Sequence, residues 1–464
     1  MLLAHAPSTV QARPPGPQLF CEVYPEAPDC VGGLVTCETC HTSTDPVGWN
    51  QFGAYLSARI SGSGTDFESG LRDALLASED EDTDGDGVSN LEEIILGTNP
   101  GNPDSLWMPP AAPQEGNPYY KLGEYDPNFA YRRAMILYCG RSPSYEEASA
   151  MRGLEGQAAR DRLHEDLSMC LDGDYWRGLG LRELADPKVK PIKAVGPDTT
   201  VQISGLFITL ADYDWDYRMW RYLMSDDRDM RQLLTAQYHV DEDENGELFE
   251  RVGLINRKSL GALAGGQPLP PEHRAGMITT QWFLMSNTMF SELPRTTAAQ
   301  AYRAFLDMDI SKNEGIFPVA GEPADVDEKG VQEPACAQCH STLDPLAYAF
   351  SYYKGIILEP GGGTGDFDPN RPGQEMPNWN PDVHKTALFG QEVANVVEWG
   401  RVASESVPFR KSMVATLWRH ALGGDPGPGA ADDFKGIVDA MPEDGFSANR
   451  AIHRLVDTEA FGTP

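Results

Sequence analysis

Cys37 and Cys40 are separated by two residues and followed at once by His41, and Cys336, Cys339 and His340 repeat that spacing almost 300 residues later. Two thiols three positions apart can reach the two vinyl groups of one porphyrin, and the adjacent histidine can ligate its iron from the same side. With 8 Cys and 9 His in 464 residues, chance should yield the pentapeptide roughly 0.003 times. Two copies therefore point to two covalently attached haem c groups, with His41 and His340 as axial iron ligands. A redox dithiol has no use for the following histidine, and a zinc site would need a second ligand pair. The flanks agree: His41-Thr42-Ser43-Thr44-Asp45-Pro46 is echoed by His340-Ser341-Thr342-Leu343-Asp344-Pro345, with Trp49 and Tyr348 at matching positions downstream. Each copy is expected to be a haem-binding helix that stops at an Asp-Pro turn and continues into an aromatic wall.

A second constellation offers hard oxygen ligands. From Asp82 to Glu93, acids stand at loop positions one, three and five, glycine at six and glutamate at twelve, the pattern of an EF-hand loop. Asp82, Asp84 and Asp86 are expected to give monodentate carboxylates to calcium, Val88 its backbone carbonyl, and Glu93 a bidentate carboxylate, while Gly87 allows the sharp turn. Ser89 replaces the usual larger aliphatic at position eight. With its continuation Ile94-Ile95-Leu96-Gly97-Thr98-Asn99-Pro100, the loop resembles the aspartate-rich calcium repeats of extracellular proteins, similar to thrombospondin type 3 repeats. The resemblance implies weak, structural calcium binding.

With 37 basic and 70 acidic residues, the formal charge of −33 argues against nucleic acid or an anionic membrane surface as partner and suits a basic redox partner protein. Four cysteines lie outside the haem motifs, and their placement suggests disulfides Cys21–Cys30 and Cys139–Cys170. Covalent haem attachment and paired cysteines both fit an exported, periplasmic or extracellular protein. Met1 to Ala6 lacks the basic start and apolar core of a signal peptide, although Val10-Gln11-Ala12 reads as a signal remnant. No run of 18 apolar residues predicts a transmembrane span.

The elements that must position these groups read as mostly α: a multidomain helical c-type cytochrome with two haem-binding modules and a C-terminal helical bundle. Residues 1–17 read as a signal remnant or disordered. Residues 18–107 form an N-terminal cytochrome c module with the calcium loop. A Pro-rich linker (108–118), a helical domain (119–267), a second cytochrome c domain (268–381) with a Gly-rich turn at Gly361 to Gly363, and a C-terminal helical domain (382–464) follow. The aromatic run Tyr213 to Trp220 is expected in the core.

The sixth position of each iron decides between electron transfer and catalysis. Met108, beside Pro109-Pro110, is the candidate distal ligand for the first haem; His273, Met277, His384 and His420 are candidates for the second. The stretch His273 to Thr280, followed by Cys336-Ala337-Gln338-Cys339-His340-Ser341-Thr342-Leu343-Asp344-Pro345-Leu346, resembles large exported planctomycete-type cytochromes. In these a His/Arg-x-Gly-Ile-Leu-Thr-Thr-like segment precedes a Cys-x-x-Cys-His-x-x-x-Asp-Pro-Leu motif. Leu233 to Tyr238 resembles their middle domain, and Leu417 to Gly424 with Phe446 to Phe461 their C-terminal helical domain. The resemblance covers roughly residues 120 to 464. It implies a mostly helical, exported haem protein and favours His273 as distal ligand of the second haem, although Arg274-Ala275 departs from the family spacing.

Three functions are consistent with these residues. The first is an electron carrier between redox partners outside the cytoplasm. The second is a dihaem oxidoreductase with one open distal site, similar to dihaem peroxidases or rubber oxygenases. The third is a calcium-stabilised surface scaffold.

Overall fold

A computed structural model describes residues 15–30, 34–44, 47–63, 66–105, 123–192, 200–203, 206–209, 212–254, 267–288, 291–355 and 365–464. Met108, the expected linker 108–118 and the Gly361 to Gly363 turn lie outside the described residues. Among the described residues the chain is mostly helical, with nineteen α-helices and four two-stranded antiparallel hairpins. No described helix is long and apolar enough to cross a membrane.

Local sequence explains where the helices begin. Asp66 accepts from the Ser69 N–H ahead of helix Phe67–Leu76, Ser89 and Glu92 form a reciprocal capping box ahead of Asn90–Leu96, and Asp126 caps Pro127–Cys139 with proline in its first turn. Apolar positions at helical spacing then set the buried faces. The described buried residues gather in two clusters. One takes Phe20, Val35, Phe52, Leu56, Leu71, Leu75 and Ile94 from the N-terminal segment. The other runs continuously from Ala130 to Phe461, and it contains Trp176, Trp220, Trp282, Trp399 and Trp418 fully buried. The aromatic run lies on helix Asp214–Leu223, with Trp215, Tyr217 and Trp220 in the core. The expected disulfides are both formed. Cys139–Cys170 staples helix Pro127–Cys139 to Gly156–Asp172, and Cys21–Cys30 closes a short N-terminal loop.

The two copies of the pentapeptide fold differently, which corrects the expectation of two equivalent helices. Cys37–Thr39 is a single 3₁₀ turn, and His41–Thr44 is a strand paired with Val47–Trp49. The second copy lies on α-helix Pro334–Tyr348, which continues through Asp344-Pro345 rather than stopping there. Pro345 has no N–H to offer the Ser341 carbonyl one turn earlier; the Val319 N–H donates to that carbonyl instead, at 3.0 Å. With its lost hydrogen bond replaced from a neighbouring loop, the proline is tolerated inside the helix.

Two glycines let neighbouring segments close on the backbone of residues 232–235. Gly276 has φ +52°, and a Cβ built on it would lie 2.1 Å from the Leu233 carbonyl oxygen; one on Gly400 would lie 2.2 Å from that of Leu234. The short helix Gln232–Thr235 is thus clasped by backbone on two sides. Gly276→Ala should cost roughly 2–3 kcal/mol, from left-handed strain plus a backbone clash. It should appear as a lowered denaturant midpoint with an unchanged slope, whereas Gly436→Ala, inside helix Ala431–Ala440 where a Cβ meets nothing, should raise the midpoint through helix propensity.

Candidate haem and calcium sites

At the first motif the hairpin places His41 opposite Trp49, and their rings stack at 4.3 Å with an interplanar angle of 27°. His41 Nδ1 lies 3.1 Å from the Gly48 carbonyl oxygen. A carbonyl can only accept, so Nδ1 carries the proton and Nε2 keeps a free lone pair for a metal. Burial lowers the His41 pKa, opposed by the hydrogen bond to Gly48, which favours the neutral, ligating form. Cys37, Cys40 and His41 open onto a cavity walled by Phe20, Val35, Leu56, Ile60, Phe67, Leu71 and Leu75, with about 1060 Å³ of empty space including its mouth. Helix Gln51–Ser63 can approach the motif because residue 53 is glycine: a Cβ there would lie 1.9 Å from the Cys40 carbonyl oxygen. An apolar cavity, two free thiols on its wall and an imidazole with Nε2 unbonded fit a covalently held porphyrin.

At the second motif, Cys336 is exposed, and Cys339 and His340 are half-buried on the same helix. His340 Nδ1 lies 2.8 Å from Asp344 Oδ1 one turn later. Asp344 is fully buried and is held by Arg295, whose Nε and Nη2 donate to its two oxygens at 2.7 and 2.8 Å. The same guanidinium grips Asp327, also buried, at 2.6 and 2.8 Å. Burial raises the Asp344 pKa, but Arg295 and His340 more than offset it and hold the carboxyl below its ordinary value. The acceptor is therefore a carboxylate, Nδ1 carries the proton, and Nε2 again keeps its lone pair free for a metal.

The structure brings the two motifs together. Asn313, in the left-handed conformation after turn Ile310–Lys312, donates from Nδ2 to Cys37 Sγ at 3.3 Å. Its Oδ1 accepts from Gln338 Nε2 at 3.2 Å and lies 4.0 Å from Cys339 Sγ. One side chain thus spans from a thiol of the first motif to a thiol of the second, and Asn313 and Gln338 both line the first cavity. Nothing in the sequence marks Asn313. Gln338 stands in an unconstrained position of its pentapeptide, and Arg295 and Asp327 lie outside any motif.

The distal candidates are dispersed. His273 stacks on Phe367 with ring centroids 3.6 Å apart, and no hydrogen bond or ring contact joins it to His340. Met277 is buried in the core. His384 accepts from the Asn380 N–H at 2.9 Å beside Tyr348 and Trp379. His420 packs against Tyr138 and Trp176.

In the acidic loop, carboxylate oxygens of Asp82, Asp84 and Asp86 lie within 4.8 Å of one another. The loop is shaped by its own amides: Gly85 and Gly87 N–H donate to Asp82, Asp86 N–H to Asp84 and Val88 N–H to Asp86. Gly85 and Gly87 take positive φ of 82° and 97°. Glu93 is 1% exposed, and its Oε2, like Asp84 Oδ2, is buried with no hydrogen-bond partner. Burial, then Asp84, Asp86 and Asp82, push the Glu93 carboxyl up to about 8. Unpartnered buried oxygens among like charges fit a divalent cation. The loop also reaches the first Cys-x-x-Cys-His motif. Asn90 accepts from Thr83, Thr83 Oγ1 donates to the Pro100 carbonyl, and Asn99 and Asn50 donate to the Glu38 carbonyl. Asn50 also donates to Thr39, so both residues between the two cysteines are pinned.

Because the folded pKa of Glu93 exceeds its ordinary 4.5, the folded state binds the extra proton, and metal-free protein should lose stability as pH rises from about 4.5 to 8. Calcium should reverse that loss at pH 8, read as a rise in melting temperature over protein in chelator. Glu93→Gln should stabilise the metal-free protein at pH 8 and remove most of the calcium-dependent gain; an undiminished gain would place the ion elsewhere. No protein-family model, curated protein or solved structure matches this chain.

Proposed function

We propose that this chain is an exported dihaem c-type cytochrome that carries electrons between redox partners outside the cytoplasm. The observation that carries this reading is the meeting of the two attachment motifs across Asn313, with Cys37 Sγ and Cys339 Sγ each at one end of its amide. A pair of haems anchored at adjoining thiols would share a short path for single electrons, which separately housed haems would lack. Bound there, haem would supply reversible one-electron chemistry at iron.

The chain's own residues do the rest. Cys37 and Cys40, and Cys336 and Cys339, fix each porphyrin. His41 and His340 present Nε2, because Gly48 and Asp344 hold the protons on Nδ1. The apolar wall of the first cavity excludes water and favours the less charged oxidation state. Asp82, Asp84, Asp86, Val88 and Glu93 hold a structural calcium ion that stiffens the segment carrying Glu38 and Thr39. The formal charge of −33 suits a basic partner protein. Membership of the planctomycete-type cytochromes belongs to the same proposal, on the motif pair His273 to Thr280 and Cys336 to Leu346. So does export, with which two disulfides are compatible.

Protein made in a host that matures c-type cytochromes should carry two haems per chain by pyridine haemochrome assay. Cys37→Ser with Cys40→Ser, or Cys336→Ser with Cys339→Ser, should each halve that content. Carbon monoxide and cyanide should leave the spectra of both haems unchanged in an electron carrier. A haem that takes up either ligand would move the assignment to an oxidoreductase with an open distal site, and calcium-dependent folding without haem would leave the scaffold.

A further inference from the structure

The two proximal histidines have the same neighbour in sequence space and different ones in the fold. His41 gives its Nδ1 proton to the neutral Gly48 carbonyl at 3.1 Å; His340 gives its own to the Asp344 carboxylate at 2.8 Å. A full negative charge withdraws the proton further than a carbonyl dipole does. It therefore leaves more electron density on the opposite ring nitrogen, the one that faces iron. A more electron-rich ligand stabilises the ferric over the ferrous state. Burial strengthens the effect, since Asp344 is fully shielded from water while its hydrogen bonds are all to fixed protein groups.

We infer that Asp344 is a potential-setting residue, making the iron held by His340 the lower in reduction potential and the iron held by His41 the higher. This rests on the dihaem reading above. It gives the pair a direction. With haem bound at both motifs, His340 would hold the donor and His41 the acceptor of a single electron, one centre being oxidised as the other is reduced, with no proton and no further reactant. An external donor protein would be expected at the His340 side and an acceptor protein at the His41 side. Arg295 is the positioning residue. Its four contacts aim Asp344 at Nδ1, and Asp327 takes up part of its charge, so that Asp344 keeps its strength as an acceptor.

The test is a spectroelectrochemical titration of holoprotein at fixed pH. Wild type should show two waves, and the two single-motif cysteine variants should assign the lower one to the second haem. Asp344→Asn keeps an oxygen acceptor and leaves Arg295 paired to Asp327; it should raise the lower wave and leave the upper wave in place, closing the gap. Asp344→Glu should keep the gap. Asp327→Asn removes the same charge from the same guanidinium without touching His340, and should move the lower wave much less than Asp344→Asn does. Equal shifts from the two asparagine variants, or a second haem at or above the first in wild type, would overturn the inference. If Asp344→Asn fails to accumulate as holoprotein, the wild-type ordering decides. Fewer than two haems per chain would instead defeat the dihaem reading, which the haemochrome assay detects separately.

Discussion

A single half-buried guanidinium, held between two fully buried carboxylates, organises the surroundings of the second Cys-x-x-Cys-His motif. Arg295 opens helix Arg295–Leu306, where a cation is opposed by the helix dipole, and it sits there because two buried carboxylates from other segments converge on it. Desolvating three charges is costly, and it is offset by paired hydrogen bonds to both carboxylates. The arrangement fixes three segments at once: the helix of Arg295, the loop of Asp327 and the helix that bears Cys336, Cys339 and His340. Removing one partner from such a cluster typically costs about 3–5 kcal/mol, because the charges left behind remain buried. The geometry of His340 inherits that rigidity, since the oxygen that accepts its proton also accepts from Arg295.

The first motif is held by different means. Its scaffold is backbone: a two-stranded hairpin, the close approach permitted by Gly53, and carbonyls pinned by Asn50 and Asn99. Here order is relayed from the acidic loop through Thr83, Asn90 and Pro100. In that loop two buried carboxylate oxygens, Asp84 Oδ2 and Glu93 Oε2, have no hydrogen-bond partner, whereas at the second motif the guanidinium of Arg295 pairs both buried carboxylates. Two copies of one pentapeptide are thus held by different means, and the first belongs to the smaller cluster of buried residues, which has the less apolar surface to spare for stability.

Much of the fold was legible because its signals are local. Apolar spacing reads as helical over Val393 to Trp399, Val407 to Leu422, Ala431 to Met441 and Ala448 to Val456, and helices stand at Val396–Glu405, Val407–Leu422, Ala431–Ala440 and Ala448–Val456, the first of them shifted toward the C-terminus. The pairing that placement suggested, Cys21 with Cys30 and Cys139 with Cys170, is the one formed. Asp-Pro misled where it was read as a stop. A proline inside a helix abandons one carbonyl and crowds it with its ring, and here Val319, from outside the motif, serves that carbonyl. Repetition misled as well: similar flanks suggested similar helices, but residue 41 entered a hairpin whose partner strand carries Trp49.

The sequence by itself determined the chemistry available: thiols and imidazoles at porphyrin spacing, a loop of carboxylates, and mostly helical segments to carry them. These follow from covalent reach and from periodicities within a few residues, which short stretches specify on their own. Only the tertiary structure decided which groups meet. Asn313 lies 276 residues from Cys37 along the chain, and Arg295 lies 49 from Asp344. It also decided that the histidine of one motif faces a carbonyl and that of the other a carboxylate. Contacts at such separations arise from how whole helices pack, a balance summed over two cores of buried side chains, and no local pattern records it.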